Sequence, residues 1–232
     1  MLQINKINKY FRSTYAVNDV TLSLDDGKVY GLVGLNGAGK STLMKVICNL
    51  MAPDSGEILW NDRPISEARK EGLKIGFMIE SPAFFRNLTG YQNLSVLAEL
   101  FDNVTKEDIN RVLDVVGLTT AANKAYKAYS LGMKQRLYFA YALLNSPSLL
   151  ILDEPFNGID PLTNMLFKNI VKDTAAKGCC TLISSHSIAD IQAVCDEVII
   201  MHMGYIVDCI TDPKGKNLED ILLNRLKDFE NV

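Results

Sequence analysis

The chain predicts an α/β fold: a mainly parallel sheet, preceded by a small antiparallel β region and interrupted by a block of helices. Three observations predict it. From Leu149 onward, short apolar strands alternate with helical segments, the pattern of a parallel sheet covered by helices. Before Asp26, segments such as Val20-Thr21-Leu22-Ser23-Leu24 alternate apolar and polar residues and stop at Asp25-Asp26-Gly27, which reads as a hairpin or small sheet. Between about 85 and 145 the periodicity is helical throughout.

The elements follow in order. Val29 to Val33 is a short buried strand that runs into a glycine-rich loop, and Lys40 to Asn49 is a helix with Leu43, Val46 and Ile47 on one side. Pro53-Asp54-Ser55-Gly56 is a turn, Glu57 to Trp60 a strand, Asn61-Asp62 another turn, and Lys74 to Ile79 a further strand. Thr89 opens a helix through a capping box with Gln92. Thr105 opens a second, which Gly117 ends, and Ser130 opens a third with Met133, Leu137, Ala140, Tyr141 and Leu144 in phase. The α/β pattern resumes with strand Leu149 to Leu152, a helix from Pro161 to Gly178, strand Thr181 to Ser184, a helix opened by Ser187, and strands Val198 to Met201 and Tyr205 to Val207. Residues 211–232 read as a polar turn and one amphipathic helix.

Composition narrows the function classes. The 232 residues suit one domain with a small inserted subdomain, and a net charge of −3 gives no bulk case for nucleic-acid binding. No apolar run reaches the roughly 18 residues that span a bilayer, and MLQINKINKYF lacks a signal-peptide core, so a cytosolic chain with no direct membrane insertion is expected. The five cysteines include no CxxC pair and read as reduced, mostly buried residues. Cys179 and Cys180, adjacent at a strand start, point to opposite faces and make a poor metal pair.

Three segments carry chemistry. Gly34-Leu35-Asn36-Gly37-Ala38-Gly39-Lys40-Ser41 matches GxxxxGK[ST] between a strand and a helix. Its glycines let successive N–H groups face phosphate oxygens, with Lys40 for the β- and γ-phosphates and Ser41 for Mg²⁺. Strand 149–152 ends in Asp153-Glu154, where Asp153 suits Mg²⁺ and Glu154 suits a general base acting on water. Ser130, with the Gly132 N–H and a helix N-terminus, forms an anion site in this company, although in isolation it reads as an N-cap. His186 follows a strand, where a neutral imidazole can contact the γ-phosphate or simply be a loop histidine; His202 reads as structural.

These residues resemble the nucleotide-binding subunit of ABC transporters over nearly the whole chain. The resemblance rests on the Walker A loop (34–42), the Walker B strand (149–154), the signature segment (130–136), the D-loop Asn157-Gly158-Ile159-Asp160 and the switch His186. It implies a P-loop NTPase core of RecA-like type, and residues 1–232 as a single ATP-binding domain with a helical subdomain at 85–145 and a C-terminal helical extension at 211–232. It also implies ATP and Mg²⁺ as ligands. Nucleotide contacts would come from Gly34, Asn36, Gly37, Ala38, Gly39, Lys40, Ser41, Thr42, Ser130, Gly132 and Asp160, with Phe11 stacking on adenine and Tyr10 or Tyr15 as alternatives. Metal contacts would come from Ser41, Asp153 and Glu80, the last in the Q-loop position.

Two departures from the family pattern stand out: Tyr129-Ser130-Leu131-Gly132-Met133 in place of LSGGQ, and Glu80 in place of glutamine. Both are similar to the branch that exports peptide antibiotics of the bacitracin and lantibiotic type or confers immunity to them. The resemblance further implies head-to-tail dimers, most simply homodimers, and integral-membrane permease subunits that hold the chain at the inner face of the membrane. Ser81 to Phe85 and Tyr91 are expected to form the groove for a permease helix. The rival class is a soluble ATPase of the same family acting on ribosomes or nucleic acid. A small-molecule kinase would need an acceptor site that the sequence does not display.

Overall fold

The structure, a computed structural model, describes residues 1–12, 14–80 and 84–230. It contains two sheets. The first has the order β2-β1-β4-β5 and is antiparallel, with β1 (Leu2–Phe11), β2 (Thr14–Leu24), β4 (Ser55–Trp60) and β5 (Arg63–Pro64). The second joins β3 (Val29–Val33), β6 (Ile75–Met78), β7 (Leu149–Asp153), β8 (Cys180–Ser184), β9 (Glu197–His202) and β10 (Tyr205–Thr211) in the order β10-β9-β3-β8-β7-β6. All its neighbours pair in parallel except β9 and β10, which form a hairpin at one edge.

Side chains on a strand alternate faces, and here both faces are covered. Leu150, Leu152, Ile183, Val198 and Ile200 point into one core with the helices, whereas Leu149, Ile151, Leu182, Ile199 and Met201 point into the other with the antiparallel sheet. That is why these strands read as continuous apolar runs.

The connections between parallel strands are helical. Helix α1 (Lys40–Ile47) follows β3; α2 (Ile65–Lys70) precedes β6; α6 (Pro161–Ala176) links β7 to β8, and α7 (Ile188–Val194) links β8 to β9. Between β6 and β7 lie α3 (Gly90–Ala98), α4 (Lys106–Val115) and α5 (Leu131–Leu143). Thr89 and Thr105 each complete a reciprocal capping box, with Gln92 and Asp108 respectively. Phe139 of α5 meets Phe167 of α6 with ring centroids 4.3 Å apart, which packs the helical block onto the rest of the core. Helix α8 (Leu218–Glu230) ends the described chain.

Two elements differ from the sequence reading. Strand β10 continues to Thr211 because Asp208, Cys209 and Ile210 still pair with β9 past a bulge after Ile206, although the polar residues there break the apolar pattern. Helix α2 went unread because only Ile65 and Ala68 of its six residues are buried, too few to display a period.

Candidate nucleotide site

The parallel strands β3, β8, β7 and β6 lie side by side, so their carboxyl ends share one edge of the sheet. At that edge the chain leaves β3 at Val33, turns through residues 34–39 and enters α1 at Lys40. Gly39 makes the turn feasible: its φ is +106°, and a Cβ there would lie 2.0 Å from the Ala16 carbonyl oxygen. Lys40 arches back over the loop and donates to the carbonyls of Gly34 and Leu35 at 2.8 and 3.2 Å. Burial pushes its ammonium pKa below the ordinary lysine value, opposed by the charges of Glu154 and Asp153. A cavity of about 270 Å³ is lined by Ala16, the run from Asn36 to Thr42, Asp153 and Glu154. A larger, open depression of about 700 Å³ on the antiparallel sheet, lined by residues such as Lys6 and Glu57, includes neither the phosphate loop nor the acid pair. Chemistry rather than size locates the site.

The acid pair closes the cavity. Asp153 is the last residue of β7 and lies in register with Ser184 of β8. Ser41 donates its hydroxyl to Asp153 Oδ2 at 2.5 Å, and Ser184 donates to Oδ1. Glu154 then takes a left-handed backbone, φ +51°, and its N–H donates to Ser184 Oγ at 2.9 Å. Its carboxylate accepts from the His186 backbone N–H at 3.3 Å and lies 2.8 Å from His186 Nδ1. Ser184 was not singled out in the sequence, since its role depends on β7 and β8 being neighbours. The Ser41 hydroxyl and Asp153 carboxylate form an all-oxygen pair, the donor chemistry that suits Mg²⁺.

Other singled-out residues lie away from the cavity lining. Glu80 pairs with Lys45 of α1 at 2.5 Å, and its carbonyl accepts from the Tyr138 hydroxyl. Ser130 caps α5, accepting from Met133 N at 3.3 Å, while the neighbouring Leu131 is 64% exposed. A Cβ on Gly132 would lie 3.5 Å from Asp160 Oδ2. Asp160 caps α6 through Leu162 N and Thr163 N at 3.1 and 3.0 Å and accepts from Thr163 Oγ1 at 2.7 Å. The Thr163 hydroxyl, itself held by Arg136 at 2.8 Å, is the main reason the Asp160 carboxyl sits below its ordinary pKa. Phe11 ends β1 with its ring half exposed and the Lys9 ammonium 5.9 Å from its centroid; Tyr10 and Tyr15 pack edge-on to each other at 5.8 Å. Of the expected permease groove, residues 81–83 lie outside the described residues. Phe84 is buried against Tyr126 at 5.1 Å and belongs to the core, while Phe85 is exposed. His202 is buried edge-on to Phe229.

A phosphate loop facing an acid pair across a parallel sheet defines a class, the triphosphate-binding α/β proteins. Residues 17–157 match the family model described as ABC transporter. Over 214 residues the chain is 39% identical to the bacitracin transport ATP-binding protein BcrA of Enterococcus faecalis, covering 90% of this chain and 68% of that one. It is 37% identical over 226 residues to the lantibiotic transport ATP-binding protein SrtF of Streptococcus pyogenes, covering 97% of each. A solved ATP-binding subunit of an ABC transporter superposes with a TM-score of 0.87 at 28% identity, covering 97% of this chain and 99% of the other. The chain belongs to the ABC transporter family, as an ATP-binding subunit that hydrolyses ATP. The alternative of a soluble ATPase acting on ribosomes or nucleic acid finds no support among these relatives. Among the described residues no helix is long and apolar enough to cross a membrane.

Proposed function

We propose that two copies of this chain clamp ATP between the Lys40 loop of one and the Ser130 helix of the other, and that closing and reopening of this dimer drives a membrane permease. The observation that carries the reading is the division of the site. The cavity holds the loop and the acids but not Ser130 or Gly132, and Leu131 beside them is open to solvent. A second anion-seeking helix N-terminus therefore faces outward, and another copy of the chain brings it to the phosphates.

The chain's own groups divide the work. The loop N–H groups from Gly34 to Gly39 and the start of α1 hold the β-phosphate, and Lys40 leaves its two carbonyl partners for phosphate oxygens. Ser41, Asp153 and Glu80 are the oxygen ligands available to Mg²⁺, which would neutralise phosphate charge. Glu154 takes a proton from the attacking water, and His186, already hydrogen-bonded to Glu154, senses the γ-phosphate. Phe11 offers its exposed ring to adenine, with Asp160 close to the partner's phosphates across the dimer. The names of the relatives point to bacitracin- or lantibiotic-type peptides as the cargo, with the chain peripheral on the cytoplasmic face of the membrane.

The test is growth. Cells carrying this chain with its permease should tolerate several times more peptide antibiotic than cells carrying Lys40→Ala, and the chain should co-purify with a polytopic protein from detergent extracts. Unchanged tolerance and recovery with ribosomes or DNA would reverse the reading.

A further inference from the structure

Three carboxylates lie at the carboxyl ends of neighbouring strands: Asp153 as the last residue of β7, Glu154 just after it, and Glu80 two residues after β6. A triphosphate entering there meets strong like-charge repulsion. Asp153 accepts from the Ser41 and Ser184 hydroxyls, and Glu154 from the His186 N–H. Among the described residues Glu80 is the one of the three with a lysine at ion-pair distance, Lys45 Nζ at 2.5 Å. Lys45 lies four residues after Ser41 on α1, so the two side chains share a face of the helix, one turn or about 5.4 Å apart. Through Lys45 the Glu80 carboxylate is tied to the helix that carries Ser41, the hydroxyl that contacts Asp153. At the same residue, the Glu80 carbonyl accepts from Tyr138 of α5, the helix whose N-terminus is Ser130. The side chain of Glu80 is tied to the phosphate-loop helix and its backbone to the Ser130 helix.

Resting on the nucleotide site argued above, we propose that Lys45 is a positioning residue that holds the Glu80 carboxylate against α1 and cancels its charge beside the phosphate loop, so that the two residues set nucleotide affinity as a pair. Folding stability is not the reason for the pair, because the Glu80 side chain is 76% exposed and exposed ion pairs contribute little. Its effect falls on a polyanion nearby. Removing Lys45 leaves an uncancelled carboxylate at the same edge of the sheet as the phosphate loop, a repulsion that weakens binding about five- to tenfold at the separations and effective dielectric expected near a protein surface. The repulsion grows with the charge of the nucleotide, so ATP without metal feels it more than ATP with magnesium.

The experiment titrates a fluorescent ATP analogue onto the full chain, once with EDTA and once with magnesium. The variants are Lys45→Met, Lys45→Arg and the double variant Lys45→Met with Glu80→Gln, with Lys40→Ala marking loss of the site. Lys45→Met should weaken metal-free binding about five- to tenfold and magnesium-containing binding less. Lys45→Arg should bind as the unaltered chain does. With EDTA the double variant should recover most of the lost affinity, and thermal midpoints without nucleotide should coincide. A double variant as weak as Lys45→Met with EDTA overturns the proposal, since Lys45 then acts on the phosphates directly. So does a Lys45→Met that binds as tightly as the unaltered chain. If Lys40→Ala binds normally, the nucleotide site itself is misplaced and the proposal goes with it.

Discussion

Lys40 and Glu154 are each held in the site by named contacts. Lys40 is partly desolvated and donates to two loop carbonyls, which in the proposed function it exchanges for phosphate oxygens. Lys40→Ala should cost about 1.5–3 kcal/mol of triphosphate binding, the range for hydrogen bonds to a charged group, as read by nucleotide titration. Glu154 is oriented by its left-handed backbone and by His186. Glu154→Gln keeps the shape and removes the proposed base. Turnover should fall by roughly 10²- to 10⁴-fold while ATP binding persists, and hydrolysis at the original rate would show that Glu154 is not the base. The phosphate loop and acid pair were legible in the sequence because their spacing is local. Ser184 was not, because the contact with Asp153 spans 31 residues and needs the strand order to be known.

The helices carry the second scale of organisation, and their caps do more than end them. Asp160 starts α6, and through Thr163 and Arg136 it links that helix to α5, whose cap is Ser130. An acid held below its ordinary pKa stabilises the fold above that value, and the contribution is lost as pH falls through the folded pKa. Asp160→Ala should therefore lower the thermal midpoint at neutral pH, and the gap from the unaltered chain should close as the pH drops below 3.8, the ordinary aspartate value. A gap independent of pH would show that the carboxylate charge is not what stabilises the cap. Capping residues Thr89, Thr105 and Ser130 were legible because a capping signal is contained within four residues. The link from Arg136 to Thr163 was not legible, since neither residue stands out from its local pattern.

Across the whole molecule, the strand order decides the chemistry. Placing β8 between β3 and β7 brings Ser184 beneath Asp153 and sets His186 against Glu154, while the phosphate loop after β3 opens on the same edge. The alternation of apolar strands with helices predicted a mainly parallel sheet. It does not show the order of strands, nor that α5 presents its N-terminus away from the cavity in the same chain. That outward presentation makes association with a second copy central to the account.

Ser41 and Ser130 mark the two halves of the proposed composite site, and a cross-link between them tests it most directly. Cysteines at these two positions, in a chain that also carries Glu154→Gln, sample the closed state. Of the native cysteines four are buried and Cys209 is exposed, so Cys209→Ser removes the one surface competitor. Oxidation with ATP should give a covalent dimer joined between positions 41 and 130 of different chains, and should give little of it without nucleotide. A chain that stays monomeric with ATP, and never forms that link, contradicts the account.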